Sequence, residues 1–314
     1  MHVAVLDLGS NSFHVSVFAS SDRAVLAPRR ELRSAVRLAT SLRDGHIDGA
    51  GFARGLDAVE GLLAELARCE PGCQIVAVAT SAIREAVNGR AFCDEVERRH
   101  RVQVEVLSGP DEARMAFLGA RLFAGPRGRL AVVDLGGGSL ELASGGGAEP
   151  DLADSLPLGV LRLRDVHLRP ERHLDAETRE RMAATVRFAA AESTRAIWNR
   201  RPERLALTSG TARALGSLAD ELALRDSGCG ELTVDMLARL VLVLSQFRPV
   251  DLPALGVEES RSDTIAIGAV VLHTIMQQLG FERALVSPLA LREGVAMRQL
   301  RRAVPSARVH AAVT

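Results

Sequence analysis

The chain has 314 residues, 47% of them apolar and 25% charged, and its 39 basic side chains balance 39 acidic ones. That length carries two domains of ordinary size, and the zero net charge excludes the strongly basic surface of a bulk nucleic-acid binder. All the basic side chains are arginine and none is lysine; arginine is the better two-pronged binder of phosphate, but the codon bias of a GC-rich genome accounts for the absence of lysine more simply.

Residues 2–6 read as a buried strand that turns at Asp7-Leu8-Gly9, and residues 12–18 alternate as the second strand of a hairpin. A third strand is expected over 33–38. Residues 50–69 carry Phe52, Leu56, Val59, Leu62, Leu63 and Leu66 at helical spacing. A β-rich run over 75–80 ends at Ser81, which predicts an N-cap for a short helix bearing Arg84. A helix over 91–99 and a strand over 102–107 follow. Ser108-Gly109-Pro110 then opens a helix with Asp111 and Glu112 in its first turn, running to about residue 123. The break at 124–128 separates two halves. After it the order restarts with a strand over 130–134, a glycine-rich turn, a strand over 140–143, a second glycine-rich turn and a further strand. Later come a long helix over 176–198, a strand over 205–207, the turn Thr208-Ser-Gly-Thr211 before a helix, further helices over 235–247 and 261–278, a strand over 284–286, and a closing helix over 289–302.

The repeated order predicts a duplicated α/β fold with its ligand site in the cleft between halves. Residues 1–124 form the first half and 125–288 the second, with the closing segment 289–304 packing back on the first. The stretches AVLDLGSNSFHV and VVDLGGGSLELA repeat one turn. Glycine permits the tight backbone that turns amide groups toward an anion, so Gly9, Ser10, Asn11 and Ser12 form one phosphate loop and Gly136, Gly137, Gly138 and Ser139 a second. Asp7 and Asp134 would repel phosphate unless a divalent cation stood between, a role suited to Mg²⁺. The Thr208–Thr211 turn offers a helix N-terminus as a third anion site.

The N-terminus lacks the charged and apolar regions of a signal peptide, and runs such as MLARLVLVLSQF are too short or too interrupted to span a bilayer. A cytoplasmic protein with no membrane partner is expected. Cys69, Cys73, Cys93 and Cys229 show no zinc-finger spacing, and free thiols are expected.

Paired Asp-Gly loops and a Gly-Thr turn before a helix resemble the acetate kinase, sugar kinase, Hsp70 and actin superfamily. Within it, DLGSNSFH, ATSAIREAVN, SGPDEARMAFLGA, VVDLGGGSLEL, SLPLGVLRL, TSGTARAL, RSDTIAIGAVVL and SPLALREGV resemble, in order, the exopolyphosphatase and guanosine pentaphosphate phosphohydrolase (Ppx/GppA) family. The resemblance implies two ribonuclease H-like (actin-like ATPase) domains, a homodimer, and Mg²⁺-dependent release of terminal orthophosphate from inorganic polyphosphate, Mn²⁺ serving as a substitute. Guanosine pentaphosphate is the rival substrate. It implies further that Glu112 is the general base, that Arg84 binds a substrate phosphate, and that Asp7, Asp134 and Glu141 form the metal site. The helix dipole is expected to lower the pKa of Glu112. Leu140 stands where many members have Thr, and Asp111 where many have Glu. The chain ends soon after its closing helix, without the extra helical domains of longer members, so short polyphosphates are the expected substrates. A kinase-like phosphotransferase is disfavoured by the EAR glutamate, and a non-catalytic phosphate or alarmone sensor is the remaining alternative.

Overall fold

The computed structural model describes residues 2–19, 28–168, 174–224 and 230–303. Strands β1 (His2–Leu8), β2 (Ser12–Ala19) and β3 (Arg30–Ala35) form an antiparallel meander. Short β4 (Leu42–Arg43) and β5 (His46–Ile47) lead into α1 (Gly49–Cys69), followed by β6 (Gln74–Ala79), α2 (Ser81–Glu85), α3 (Gly89–His100), β7 (Val104–Val106) and α4 (Gly109–Ala124). The pattern then repeats with β8 (Leu130–Leu135), β9 (Leu140–Gly145), β10 (Leu152–Leu156), α5 (Val160–His167), α6 (Ala176–Trp198), β11 (Arg204–Thr208) and α7 (Ser209–Glu221). It ends with β12 (Glu231–Thr233), α8 (Val234–Leu244), α9 (Ile265–Leu279), β13 (Arg283–Val286) and α10 (Leu291–Ala303).

The two large sheets have the orders β3-β2-β1-β6-β7 and β10-β9-β8-β11-β13-β12. In each, an antiparallel three-strand meander adjoins parallel strands, β6 and β7 in the first and β11 and β13 in the second. β12 is an addition antiparallel to β13. The central strands β1 and β8 are buried on both faces, which is why they read as unbroken apolar runs. β3 is an edge strand, and its RELRSA sequence alternates charge outward. Helix α1 starts where the Asp48 carboxylate accepts the Gly51 amide at 2.6 Å, and its stripe of Leu56, Val59, Leu62 and Leu66 closes the first core.

Helix α4 is shared between the sheets. Met115 and Leu118 pack with Val3, Val5 and Val78, whereas Ala113, Phe117 and Ala120 pack with Leu130, Val132, Ala143 and Ala206. Helix α10 lies against α4, and Leu291, Val295 and Ala296 join the cluster on the first sheet. Glycine makes this crossing possible. A Cβ on Gly119 would stand 1.9 Å from the Ala290 carbonyl oxygen, and one on Gly294 would stand 2.0 Å from that of Met115.

Some local expectations shift. The third strand begins and ends three residues earlier than expected, because Arg37 takes a left-handed φ of 50° and a 3₁₀ turn follows at Leu38–Ser41. Thr80, not Ser81, occupies the N-cap of α2, and it makes no side-chain capping bond. Helix α5 and strand β12 were not anticipated. Cys69, Cys73 and Cys93 are free thiols, and Cys229 lies outside the described residues. Among those residues no helix is long and apolar enough to cross a membrane.

Candidate active site

The two Asp-Leu-Gly turns stand at the carboxyl ends of the central strands, where α/β sheets gather their ligands. Their registers correspond: Asp7 faces His14 across the first hairpin, and Asp134 faces Glu141 across the second. The turns themselves touch. A Cβ on Gly138 would come within 2.8 Å of the Ser10 Oγ and 2.4 Å of the Ser81 Oγ, so only glycine lets the loops approach this closely.

The start of α5 fixes the second loop. The amides of Gly159, Val160 and Leu161 donate to the carbonyls of Gly138, Gly136 and Gly137 at 3.3, 3.1 and 2.9 Å. A trans peptide points its C=O and N–H in opposite directions, so the amides of Gly137, Gly138 and Ser139 turn away from α5. The first loop is braced similarly, with the Ser10 carbonyl accepting from Ala39 at 3.0 Å and the Ser10 hydroxyl from the Ala82 amide at 3.1 Å.

Asp7, Gly9, Ser10, Asn11, Ser12, Glu112, Asp134, Gly136, Gly137, Gly138, Ser139 and Glu141 all line one cavity of about 180 Å³. Arg84 does not. Its guanidinium donates to Glu112 Oε2 at 2.6 Å and to the Leu107 carbonyl at 3.1 Å, which places it behind the carboxylate and not on the cavity wall. Glu112 itself is set by a capped helix start, where the Ser108 hydroxyl accepts the Asp111 amide at 3.2 Å and Pro110 occupies the first turn.

Burial dominates the electrostatics. It pushes the carboxyls of Asp7 and Asp134 up to about 6, with Arg292 pulling Asp7 back and a Thr208 hydroxyl bond pulling Asp134 back. Burial raises Glu112 to about 7 against the pull of Arg84. The expected lowering by the helix dipole is therefore overturned: desolvation of a carboxylate only 8% exposed outweighs a first-turn dipole effect. Glu141 is raised well above the carboxylate range by burial and by the neighbouring Glu112 and Asp134.

Three buried carboxylates and the partly buried Asp7 share one cavity and fit a cation, and the Oδ1 atom of Asp7 is itself buried with no hydrogen-bond partner. An all-oxygen donor set suits Mg²⁺ or Mn²⁺. Asp7, Asp134 and Glu141 do not converge as three direct ligands, however. Among the described residues, the one set of three whose ligand atoms lie within 4.8 Å of one another is elsewhere. A cation held among these carboxylates would be reached in part through water, as Mg²⁺ commonly is.

The chain matches the model of the Ppx/GppA phosphatase family over residues 17–303. It belongs to that family. It is 33% identical to exopolyphosphatase 1 of Mycobacterium tuberculosis over 314 residues, covering 96% of this chain and 88% of that one. Identity to exopolyphosphatase 1 of Mycobacterium leprae is 33% over 311 residues, covering 96% and 90%. In fold, it resembles an exopolyphosphatase from Cytophaga hutchinsonii with a TM-score of 0.86 at 23% identity, covering 96% and 98% of the two chains. The Aquifex aeolicus family member gives a TM-score of 0.81 at 23% identity, covering 98% and 99%.

Sequence reasoning missed the cationic wall of this Ppx/GppA site. Arg213, Arg261 and Arg292 line the cavity and also a second one of about 420 Å³ that continues from it past Arg33. Each lies in a stretch that carried the family resemblance, yet nothing local marks an arginine as facing a cleft. Arg261 lies over Gly210, where a Cβ would stand 2.3 Å from its guanidinium nitrogen. His14 accepts or donates a 2.8 Å bond with Ser12 Oγ, and burial beside Arg292, Arg33, Arg213 and Arg261 holds its pKa down at about 3. It is neutral at physiological pH. The start of α7 is less available to an anion than expected, because the Ser209 hydroxyl already accepts the amides of Thr211 and Ala212 at 3.1 and 3.4 Å.

Proposed function

We propose that this Ppx/GppA member is an exopolyphosphatase, releasing terminal orthophosphate from inorganic polyphosphate. The observation that carries this reading is the shared cavity, where a buried carboxylate with a pKa of about 7 faces two glycine-rich loops beside an arginine wall. The terminal phosphoryl group sits on the loop amides, with the following phosphates along Arg213, Arg261 and Arg292. Glu112, about half ionised near neutral pH at that pKa, takes a proton from water as the water oxygen attacks the terminal phosphorus. The bridging P–O bond breaks, orthophosphate leaves, and the chain is one phosphate shorter. Arg84 acts as a positioning residue, fixing the Glu112 carboxylate and tuning its proton affinity. When bound near Asp7, Asp134 and Glu141, Mg²⁺ or Mn²⁺ supplies the counter-charge that lets phosphate oxygens approach these carboxylates.

Polyphosphate is favoured over guanosine pentaphosphate by the lining of both cavities. Among the described residues that wall them there is no Phe or Trp to stack a guanine. The protein is proposed to act on short chains. Orthophosphate release from polyphosphate, guanosine pentaphosphate and ATP by purified protein with Mg²⁺ tests the proposal. Release from polyphosphate above the other two supports it, and release from guanosine pentaphosphate alone transfers the activity to the rival substrate. Binding without release makes the protein a sensor.

A further inference from the structure

At the opposite end of the first sheet from the cleft, His2, Glu70 and Cys73 bring an imidazole, a carboxylate and a thiol within 4.8 Å of one another. We propose that these three side chains form a zinc site that pins the start of β1 to the α1–β6 turn. The fold builds it from pieces distant in sequence. β1 and β6 pair in parallel with Val3 opposite Gln74, so His2 and Cys73 come one rung earlier, side by side at the entry to both strands. Glu70 caps the end of α1, and Gly72, at a φ of +81°, turns the chain back so that Cys73 stands beneath it. The separation of His2 Nδ1 from Glu70 Oε2 is 3.7 Å, close to the spacing of two ligands around one tetrahedral zinc.

The chemistry of the set is selective. Thiolate, imidazole and carboxylate are together the ligands zinc takes, whereas Mg²⁺ and Ca²⁺ take oxygen. Three protein ligands leave a fourth position for water. Cysteine spacing alone does not reveal the site, because Cys69, the neighbour in CEPGC, donates instead to Glu65 Oε1 at 3.1 Å. Without metal the cluster is held by cations. Arg29 bonds His2 Nε2 at 2.9 Å, and Arg30 lies 3.8 Å from Glu70 Oε1. Zinc binding displaces that pairing. The Cys73 thiol loses its proton to solvent, and the imidazole proton, on Nδ1 while Arg29 donates to Nε2, moves through solvent to Nε2 so that Nδ1 ligates, and Arg29, a donor itself, must swing off. The exposure of Arg29 allows it to do so.

The test uses the full chain without a polyhistidine tag, reduced and stripped of metal, titrated with Co²⁺ and then Zn²⁺. The expected result is a thiolate-to-cobalt charge-transfer band that saturates at one equivalent and is abolished by Zn²⁺. Cations held among the cleft carboxylates give no such band, so the two sites are read separately. The band persists in Cys69→Ser and is lost in Cys73→Ser. In Glu70→Gln it appears only at higher Co²⁺. With the cleft kept occupied by excess Mg²⁺, one equivalent of zinc should also raise the melting temperature of the parent and of Cys69→Ser but not of Cys73→Ser, since a ligand stabilises only a state that binds it. Circular dichroism of Cys73→Ser checks that the variant is folded. A parent protein with no thiolate band, or a band that survives in folded Cys73→Ser, overturns the proposal.

Discussion

Replacing Arg84 with Met should move the acid limb of the pH–rate profile without erasing the chemistry. The Arg84 guanidinium donates to Glu112 at 2.6 Å, and it opposes the burial that has already raised this carboxyl to about 7. A hydrogen bond to a charged group contributes about 1.5–3 kcal/mol, and one pKa unit corresponds to about 1.4 kcal/mol. Methionine fills similar volume without charge, so the Glu112 pKa should rise by about one to two units. In the proposed mechanism the active form is the carboxylate. At pH 7 its population then falls from about half to between about 10% and 1%, and kcat/KM drops about 5- to 50-fold. Activity recovers as pH is raised through the new pKa. The assay is orthophosphate release from a short polyphosphate between pH 5.5 and 9.5 (about four units, wide enough to show both limbs). An acid limb that stays where it is in the parent would refute the reasoning, as would a uniform loss at every pH. Either result would mean that Arg84 does not act through the proton affinity of Glu112.

Glu112→Gln should bind polyphosphate but lose about 10²- to 10⁴-fold in turnover, checked by single-turnover kinetics beside equilibrium binding. The raised pKa values of Asp7 and Asp134 make metal-free stability fall as pH rises: folded carboxyls hold protons that unfolded ones release, so stability present below about pH 4 is lost through about pH 6. Thermal melts with chelator should show this slope, Asp7→Asn should reduce it, and Mg²⁺ should offset it above pH 6. Gly119→Ala should cost about 1–3 kcal/mol or more in denaturant melts, because its Cβ would meet the Ala290 backbone oxygen. On a long polyphosphate, partial digestion should leave a ladder of intermediate lengths on a gel, and untouched chains beside finished product would show tight, processive holding instead.

The legible parts of this protein were those encoded within a few consecutive residues. Both Asp-Leu-Gly turns, the capped start of α4 and the long α6 each write their geometry locally, in glycine, proline and apolar spacing. What depends on tertiary placement was not legible. The proton affinity of Glu112 follows from how completely the fold removes water from it, and a first-turn position in a helix says nothing of that. Arg84 carries a guanidinium suited to phosphate, yet its nearest anion is Glu112, a partner 28 residues away. The Ser209 hydroxyl consumes amides that a Gly-Thr turn was expected to offer a ligand. Arg213, Arg261 and Arg292 come from three separate segments, and only the folded cleft makes them a wall.

Helix α4 has a mechanical consequence. A swing at the glycine-rich break after it would lift Phe117 and Ala120 off the second sheet, and fully exposing the phenylalanine alone costs about 1.5–3 kcal/mol. Glu112 is fixed in the first turn of that helix. The general base proposed here thus rides on a beam packed against both sheets, and a change in the gap between them would be felt at its carboxylate. A substrate that drew the walls together would also true the alignment of that base, so that grip and chemistry would share one moving part.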